Sequence, residues 1–465
     1  MKAKHKVLCF LIEDWGRDPE MLLPLIYFAE KYCNCEVRFE FTWNIYSIYQ
    51  KQPDVVLLPN TVGLNLFFEA SKYAHQQGIK VFALISEGNF RIDGSSDFWG
   101  FNIEKIFYQD FVCCWSQRSC EFLKTKLPDI KDKIVFTGAT GFDRYTIYNF
   151  ISKEEYLTKK NLTQYKKIIG YAGWAFGKLG NKQGLEELKF FFNYDPEKLV
   201  WVEKQMYLVE SILKEAIEKN PEILFILKKH PSEVNQSIVA ECLNEMSRLS
   251  NYPNVLYIKE GENLHDLINI SDLWLGFETT TALEAWLLNK NTILINPDPN
   301  FKRDMNFKGS VIAQDYFSLQ KLIDEYYNTK KINKFNEPEH SFYRNKAIED
   351  TIGYSDGFNH LRAGYYFKQT VDLIEKNGLN KKRIFSTKYF IKHFLMVVGR
   401  FFYIKRIFIH LPKFKKTIWI FENYKLKNII SLKLKYYSYI DEFYKKLNIE
   451  ESIKNNTIWD KIFRS

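Results

Sequence analysis

The sequence predicts an α/β protein of two Rossmann-like domains facing a cleft, followed by a basic, aromatic helical extension. Three observations carry this reading. Apolar runs of strand length alternate with amphipathic stretches of helix length over residues 7–295, the rhythm of a parallel, doubly wound sheet. A polar, lysine-rich segment at residues 152–167 interrupts that rhythm once, and it then restarts. At 465 residues the chain also exceeds what one ordinary core organises.

The first domain is expected over residues 1–160. Residues 7–12, 37–42, 54–58, 80–85, 112–115 and 134–136 read as strands, and residues 64–75 as a helix. The loop after the first strand carries Glu13, Asp14 and Gly16. The loop after residues 80–85 carries Ser86, Glu87, Gly88 and Asn89. A carboxylate at a strand's carboxyl end, beside a glycine that lets a substrate approach, suits a general base. An ordinary loop glutamate is the plain alternative for Glu87. Glu13, Asp14, Gly88 and Asn89 are assigned to the acceptor side.

The second domain is expected over residues 161–375. Residues 167–171 form its first strand and lead into a glycine-containing loop that begins with Gly173. A long helix is predicted over residues 196–219 and another over 236–249. Residues 223–227 are all apolar and run into Lys228, Lys229, His230 and Pro231. Proline cannot donate to a sheet ladder, so the strand ends there. His230 then sits at a strand's carboxyl end, where open α/β sheets place ligands. An imidazole can donate to a phosphate oxygen, and two lysines raise the local positive potential. A histidine that merely ends a strand is the alternative.

Further strands are expected at residues 255–258, 273–276 and 292–295, with helices at 264–270 and 282–288. Thr279, Thr280 and Thr281 stand between the strand ending at Gly276 and the last of these helices. One threonine suffices to cap a helix; three in a row, with free backbone N–H groups, form an anion site. Glu284 inside the helix either binds a ribose hydroxyl or faces solvent.

The seven cysteines are odd in number and lack paired Cys-x-x-Cys spacing, as expected of reduced thiols in a cytosolic protein. The start, Met1-Lys-Ala-Lys-His-Lys, leads into a strand with no signal-peptide apolar region. The net charge of +10 is uneven. Residues 381–465 hold 20 Lys/Arg and 6 Asp/Glu, a net of +14; the remainder holds 46 and 50, a net of −4. Within the extension, expected over residues 376–465, basic residues interleave with bulky apolar ones. The longest stretch of residues 389–411 without Lys or Arg is residues 393–399, too short to cross a bilayer. Such a pattern predicts contact of residues 381–465 with an anionic membrane surface, and so a cytoplasmic protein peripheral to the inner face of the cell membrane. A helical extension packed on the body is the alternative. Nucleic acid is not an expected partner, because the body is slightly acidic and carries no nucleic-acid fold signature.

Ser86-Glu87-Gly88, His230-Pro231 and Thr279-Thr280-Thr281 together resemble motifs of GT-B glycosyltransferases. More closely they are similar to the bacterial sialyltransferase and Kdo-transferase groups and related surface-carbohydrate biosynthesis proteins. These share an acidic-acidic-glycine motif, a His-Pro motif and a Ser/Thr pair, in this order. The resemblance implies that Glu87 is the catalytic base and that His230, Thr279 and Thr280 contact the donor's phosphate. Lys228, Lys229, Pro231, Gly173, Thr281 and Glu284 complete the donor side. Ser86 replaces the first acid of the motif and leaves the base in place. Tyr354-Ser-Asp-Gly357 with Arg362 echoes a further stretch of surface-carbohydrate proteins. The resemblance spans residues 5–375. It implies an inverting transferase with a nucleotide-sugar donor, most closely a CMP-activated acid sugar such as Kdo or a nonulosonic acid, and a glycan or lipid-linked acceptor. No Asp-x-Asp stands beside the phosphate site, so neither an obligatory metal nor a cofactor is expected. A CDP-alditol phosphotransferase of teichoic-acid type also fits a histidine-plus-hydroxyl site, as do UDP- or GDP-sugar donors. A non-catalytic nucleotide-sugar or glycan-binding scaffold, which Ser86 makes plausible, is the third reading.

Overall fold

The structure is a computed structural model and describes residues 4–12, 16–60, 65–85, 106–234, 243–259, 262–300, 308–407, 418, 421 and 426–464. The chain forms two compact units: Met1–Tyr148 with Ile348–Ser465, and Asn149–Ala347.

The first unit holds β1 (His5–Leu11), β2 (Cys35–Phe41), β3 (Val55–Leu58), β4 (Lys80–Ala83), β5 (Phe111–Cys114) and β6 (Ile134–Phe136) in the order β2-β1-β3-β4-β5-β6. The second holds β7 (Lys167–Ala172), β8 (Ile223–Lys228), β9 (Val255–Ile258), β10 (Leu273–Gly276), β11 (Asn291–Ile295) and β12 (Val311–Ala313) in the order β12-β11-β10-β7-β8-β9. Neighbouring strands pair in parallel in both sheets. Helices cover both faces of such sheets, which is why central strands are apolar throughout. β3 and residues 223–227 of β8 are buried along their whole length. The expected class, two Rossmann-like α/β domains, is the observed one.

The helices that matter here are α1 (Arg17–Tyr32), α2 (Asn65–Gln76), α3 (Lys153–Lys160), α4 (Pro196–Lys219), α5 (Thr281–Leu287), α6 (Pro338–Ile352), α7 (Asn359–Asn377), α8 (Thr387–Ile404), α9 (Leu426–Leu447) and α10 (Thr457–Arg464). Three differ from the sequence reading. Residues 152–167 are not a plain linker. Ser152 caps α3 by accepting from Glu155 N at 3.1 Å, and Tyr156 and Leu157 enter the core of the second unit. The polar composition reports only the solvent-facing side of α3. The predicted helix 236–249 falls partly outside the described residues. Residues 244–248 are a turn in which Asn244 Oδ1 accepts from Met246 N at 3.1 Å, followed by a single 3-10 turn at Leu249–Asn251. Finally, α6 carries the chain back, so that α7 to α10 belong to the first unit rather than to the second or to a separate extension.

Buried polar bonds fasten that return. Asp143 Oδ2 accepts from His360 N at 2.7 Å and lies 2.8 Å from His360 Nδ1. Its Oδ1 accepts from Asn359 N at 3.1 Å, at the start of α7. On the far side of the imidazole, Nε2 is 2.8 Å from the Tyr444 hydroxyl of α9. With the Nδ1 proton on the aspartate, Nε2 accepts from Tyr444. Burial pushes the Asp143 carboxyl above its ordinary range. Arg362 is fully buried. Its guanidinium forks onto Asp356 at 2.6 and 3.0 Å, donates from Nε to the Ile462 carbonyl at 2.9 Å, and stacks 3.5 Å from the Tyr354 ring. The Tyr354-Ser-Asp-Gly357 stretch and Arg362 therefore clamp α10 to α7. Among the described residues no helix is long and apolar enough to cross a membrane. The six described cysteines are free and buried; Cys242 lies outside the described residues.

An Arg362→Met chain loses the fork and strands a half-buried Asp356. It is expected to lower the stability of the first unit by about 3–5 kcal/mol and to expose residues 457–464 to trypsin. Urea unfolding and limited proteolysis check both; an unchanged midpoint overturns the clamp.

Candidate functional site

The site begins with a register. β7 lies between β8 and β10, and Ala172 pairs with Lys228 on one side and with Gly276 on the other. The three strands thus end at one level. The chain fills the sheet from β7 outward through β8 and β9, then returns to the opposite side of β7 for β10, β11 and β12. The reversal falls between β7 and β10, the topological switch point at whose carboxyl edge open α/β sheets bind ligands. The loops carrying Gly173, residues 229–231 and residues 277–280 follow these strands and share that edge.

At the end of β10, a Cβ on Gly276 would lie 2.2 Å from Thr279 Cγ2, so the threonine can fold back only over a glycine. Glu278 takes a left-handed φ of 37°, an uncommon state for a non-glycine residue, and accepts from Asn296 Nδ2 at 3.4 Å. The three threonines differ. Trp274 Nε1 donates to Thr281 Oγ1 at 2.9 Å, Thr281 Oγ1 is 3.0 Å from Thr279 Oγ1, and Thr279 Oγ1 accepts from Thr281 N at 3.2 Å. Two hydroxyls are thus engaged in shaping the loop. The Thr280 side chain is half-buried and has no hydrogen-bond partner among the described residues. α5 spans only seven residues, close to the 282–288 expected. Glu284 is half-buried on α5.

At the end of β8, Lys229 N donates to Ile258 O at 3.0 Å. Pro231 then opens a one-turn helix, Pro231–Val234, where a missing N–H costs nothing. Lys228, Lys229 and His230 are half-buried. Gly173 N donates to Lys228 O at 2.9 Å, and the room beside Gly173 is taken: a Cβ there would lie 2.3 Å from Met246 Cε and 3.1 Å from Glu245 Oε1.

Two buried glutamates hold the loop after β7. Glu245 Oε1 accepts from the Tyr171 hydroxyl at 2.9 Å and from Trp174 N at 3.2 Å. Glu233 accepts from Gly177 N and from Asn244 Nδ2, the latter at 2.8 Å. Burial, and then the charge of Glu233, raises Glu245 from 4.5 to about 8; burial raises Glu233 as well. Glu245 Oε2 is buried and unpartnered among the described residues, the state a retained proton relieves. Aromatic rings gather at the same edge: Phe176 lies 5.0 Å from Trp174 and 5.2 Å from Phe277, and Trp201 lies 6.1 Å from Phe277. Trp174 is half-exposed.

The structure therefore brings Gly173, Lys228, Lys229, His230, Pro231 and Thr279, Thr280 and Thr281 to one edge. Glu13, Asp14, Glu87, Gly88 and Asn89 lie outside the described residues. Sequence reasoning missed Glu233, Glu245, Trp174 and Glu278. The one available signal was the aromatic pair in the glycine-containing loop after β7.

No family model matches the chain, and no curated protein matches it by sequence. Solved structures do match it in fold. A Listeria monocytogenes protein assigned as a UDP-N-acetylglucosamine 2-epimerase aligns with a TM-score of 0.51 at 14% identity, over 83% of this chain and 100% of that one. S. aureus MnaA, solved with UDP, aligns with a TM-score of 0.51 at 14% identity, over 82% and 100%. The wall teichoic acid polymerase TagF with CDPG aligns more weakly, with a TM-score of 0.46 at 14% identity, over 81% and 90%. The first two place the chain in the two-domain, GT-B-like fold. At 14% identity these likenesses show the fold alone and single out no donor.

The Glu245 proton makes a sign-definite prediction. Between pH 4.5 and about 8 the folded protein keeps a proton that the unfolded chain has released, so raising the pH through that window lowers stability. Glu245→Gln keeps both acceptor bonds on Oε1 and has nothing to ionise. Urea unfolding at about pH 5 and pH 8 should show the variant losing about 2–4 kcal/mol less than the parent chain over that interval. Parallel losses in the two proteins would overturn the assignment.

Proposed function

We propose that the chain is a glycosyltransferase that uses a nucleotide-sugar donor, with the donor's phosphate at the carboxyl edge of β7, β8 and β10. The observation that carries this is the shared register of Ala172, Lys228 and Gly276 at the switch point, which gathers two lysines, a histidine and a spare threonine hydroxyl. Lys228 and Lys229 supply positive charge, the His230 imidazole supplies an N–H donor, and Thr280 supplies a hydroxyl donor. The half-exposed Trp174 offers the kind of aromatic face on which a base stacks.

In this reading Glu87 takes the proton of an acceptor hydroxyl. The acceptor oxygen bonds to the anomeric carbon as the bond from that carbon to the phosphate oxygen breaks, and configuration inverts. The electron pair leaves on the phosphate oxygen, where His230, the lysines and Thr280 stabilise it. The order of the Glu87-Gly88, His230-Pro231 and threonine motifs supports a CMP-activated acid sugar as donor. Its acceptor would be a hydroxyl of a surface glycan or lipid-linked glycan.

Thermal stabilisation by CMP, CDP, UDP and GDP tests the donor site, because a ligand that binds only the folded state raises stability by mass action. CMP should raise the melting temperature of the parent chain and leave His230→Ala unmoved. Preference for UDP or GDP replaces the donor class, and preference for CDP supports the alditol-phosphate transferase. Silence with all four would leave the binding scaffold in place of the enzyme. Once an acceptor is found, Glu87→Gln should lower transfer by about 10²–10⁴-fold with nucleotide binding intact; full activity in that variant sinks the base assignment.

A further inference from the structure

We infer that α8 is a membrane-surface helix whose exposed apolar face takes an anionic lipid bilayer. This inference is independent of the proposed transferase chemistry. Residues 381–421 contain eleven Lys/Arg and no Asp/Glu, and α8 occupies residues 387–404 of that stretch. One side docks on the first unit. The Tyr389 hydroxyl donates to Glu69 Oε2, the Tyr389 ring lies 4.7 Å from Tyr73, and His393 Nδ1 is 2.8 Å from Asn44 Oδ1. An adjoining side is apolar and open. Phe394, Val397, Phe401 and Ile404 follow one another at helical spacing with exposures of 55%, 53%, 56% and 67%, Leu395 is 61% exposed, and Phe390, 40% exposed, marks the border where its ring meets Tyr46 at 5.5 Å. At 3.6 residues per turn, the exposed apolar positions of α8 cover about half of its circumference.

Contiguous apolar faces of this kind mark interaction surfaces, and charge selects the partner. Lys392 and Arg400 flank the face, and Lys405 and Arg406 follow it; all four are exposed. A bilayer with anionic headgroups receives the apolar side chains at the acyl boundary and the basic ones at its phosphates. A second copy of the chain would bring the same basic rim against itself in a two-fold contact. Nucleic acid would leave the phenylalanines uncovered. α8 cannot cross a membrane, so it lies in the interface.

α9, by contrast, is docked on the first unit along one side. Ile429, Tyr436, Ile440 and Tyr444 of α9 are buried. Lys433 pairs with Glu30 at 2.7 Å, and Lys31 of α1 reaches Asp441 at 2.8 Å. The membrane contact predicted for residues 381–465 thus narrows to α8 and its basic flanks.

Flotation of the full chain with vesicles of phosphatidylcholine, alone or mixed with phosphatidylglycerol, tests this. The parent chain should float with the mixed vesicles and not with the neutral ones. Phe394→Glu combined with Phe401→Glu should reduce the bound fraction by at least about tenfold, with an unchanged melting temperature showing that the fold survives. Lys435→Glu, an exposed charge on α9, should bind like the parent chain. A parent chain that stays unbound, a double variant that floats normally, or equal binding to neutral vesicles overturns the inference. So does light scattering that finds a parent dimer which the double variant dissociates, for then the face belongs to a second copy.

Discussion

Trp274 connects the core of the second unit to the candidate site. Its ring is buried in β10 against β7, in room that exists because position 170 has no side chain: a Cβ on Gly170 would lie 2.3 Å from Trp274 Cζ3. Its N–H must find an acceptor, since an unpaired indole N–H inside a protein costs free energy. It finds Thr281 Oγ1, which meets Thr279 Oγ1, whose methyl group folds over Gly276. Packing between two strands thus determines which threonine hydroxyls are engaged in shaping the loop. The same strand pair places Ala172 level with Gly276, and β8 brings Lys228 to that level from the other side.

The loop after β7 is held by a different device. Two glutamates within one buried region would repel if both were charged, and the protein resolves this by keeping a proton on Glu245 near neutral pH. The gain is position. Trp174 N and Gly177 N are both anchored on side-chain oxygens, so the loop is fixed at two points beneath the edge where Lys228 and His230 emerge. A site that must align a phosphate with several donors benefits from such fixing, because donors already oriented need no reorganisation when charge develops.

Much of this was legible in the amino-acid order, and the exceptions have physical reasons. Strands buried on both faces write themselves as unbroken apolar runs, so β3, β8 and β10 appear in the sequence nearly residue for residue. Pro196 at the first turn of α4, behind an Asp195 cap that accepts from Glu197 N at 2.9 Å, marks a helix start that needs no tertiary information. The position of His230 and Thr279–Thr281 just after strand ends was legible in the same way. The division of labour among the threonines was hidden, because it depends on Trp274. β12 was missed, being three residues long with Ile312 44% exposed. The docking of α7 on the first unit was invisible as well. It rests on His360 meeting Asp143 and on Gly364 admitting Phe28, contacts between residues more than two hundred positions apart that no local pattern records.

The C-terminal charge shows why composition has to be resolved residue by residue. A net of +14 over residues 381–465 suggests one uniform basic surface. In the structure part of that charge is already matched: Lys381 by Asp54 at 2.6 Å, Lys388 by Glu69 at 2.8 Å and Lys433 by Glu30 at 2.7 Å. A lysine held by a carboxylate has little left to offer a lipid phosphate. What remains for an external partner is Lys392 and Arg400 on α8 and Lys405 and Arg406 just after it, in a stretch where no acidic side chain occurs before Glu422. That set borders a helix whose outward side is phenylalanine and aliphatic residues, and the proposed interfacial role rests on this coincidence of basic charge with exposed apolar surface.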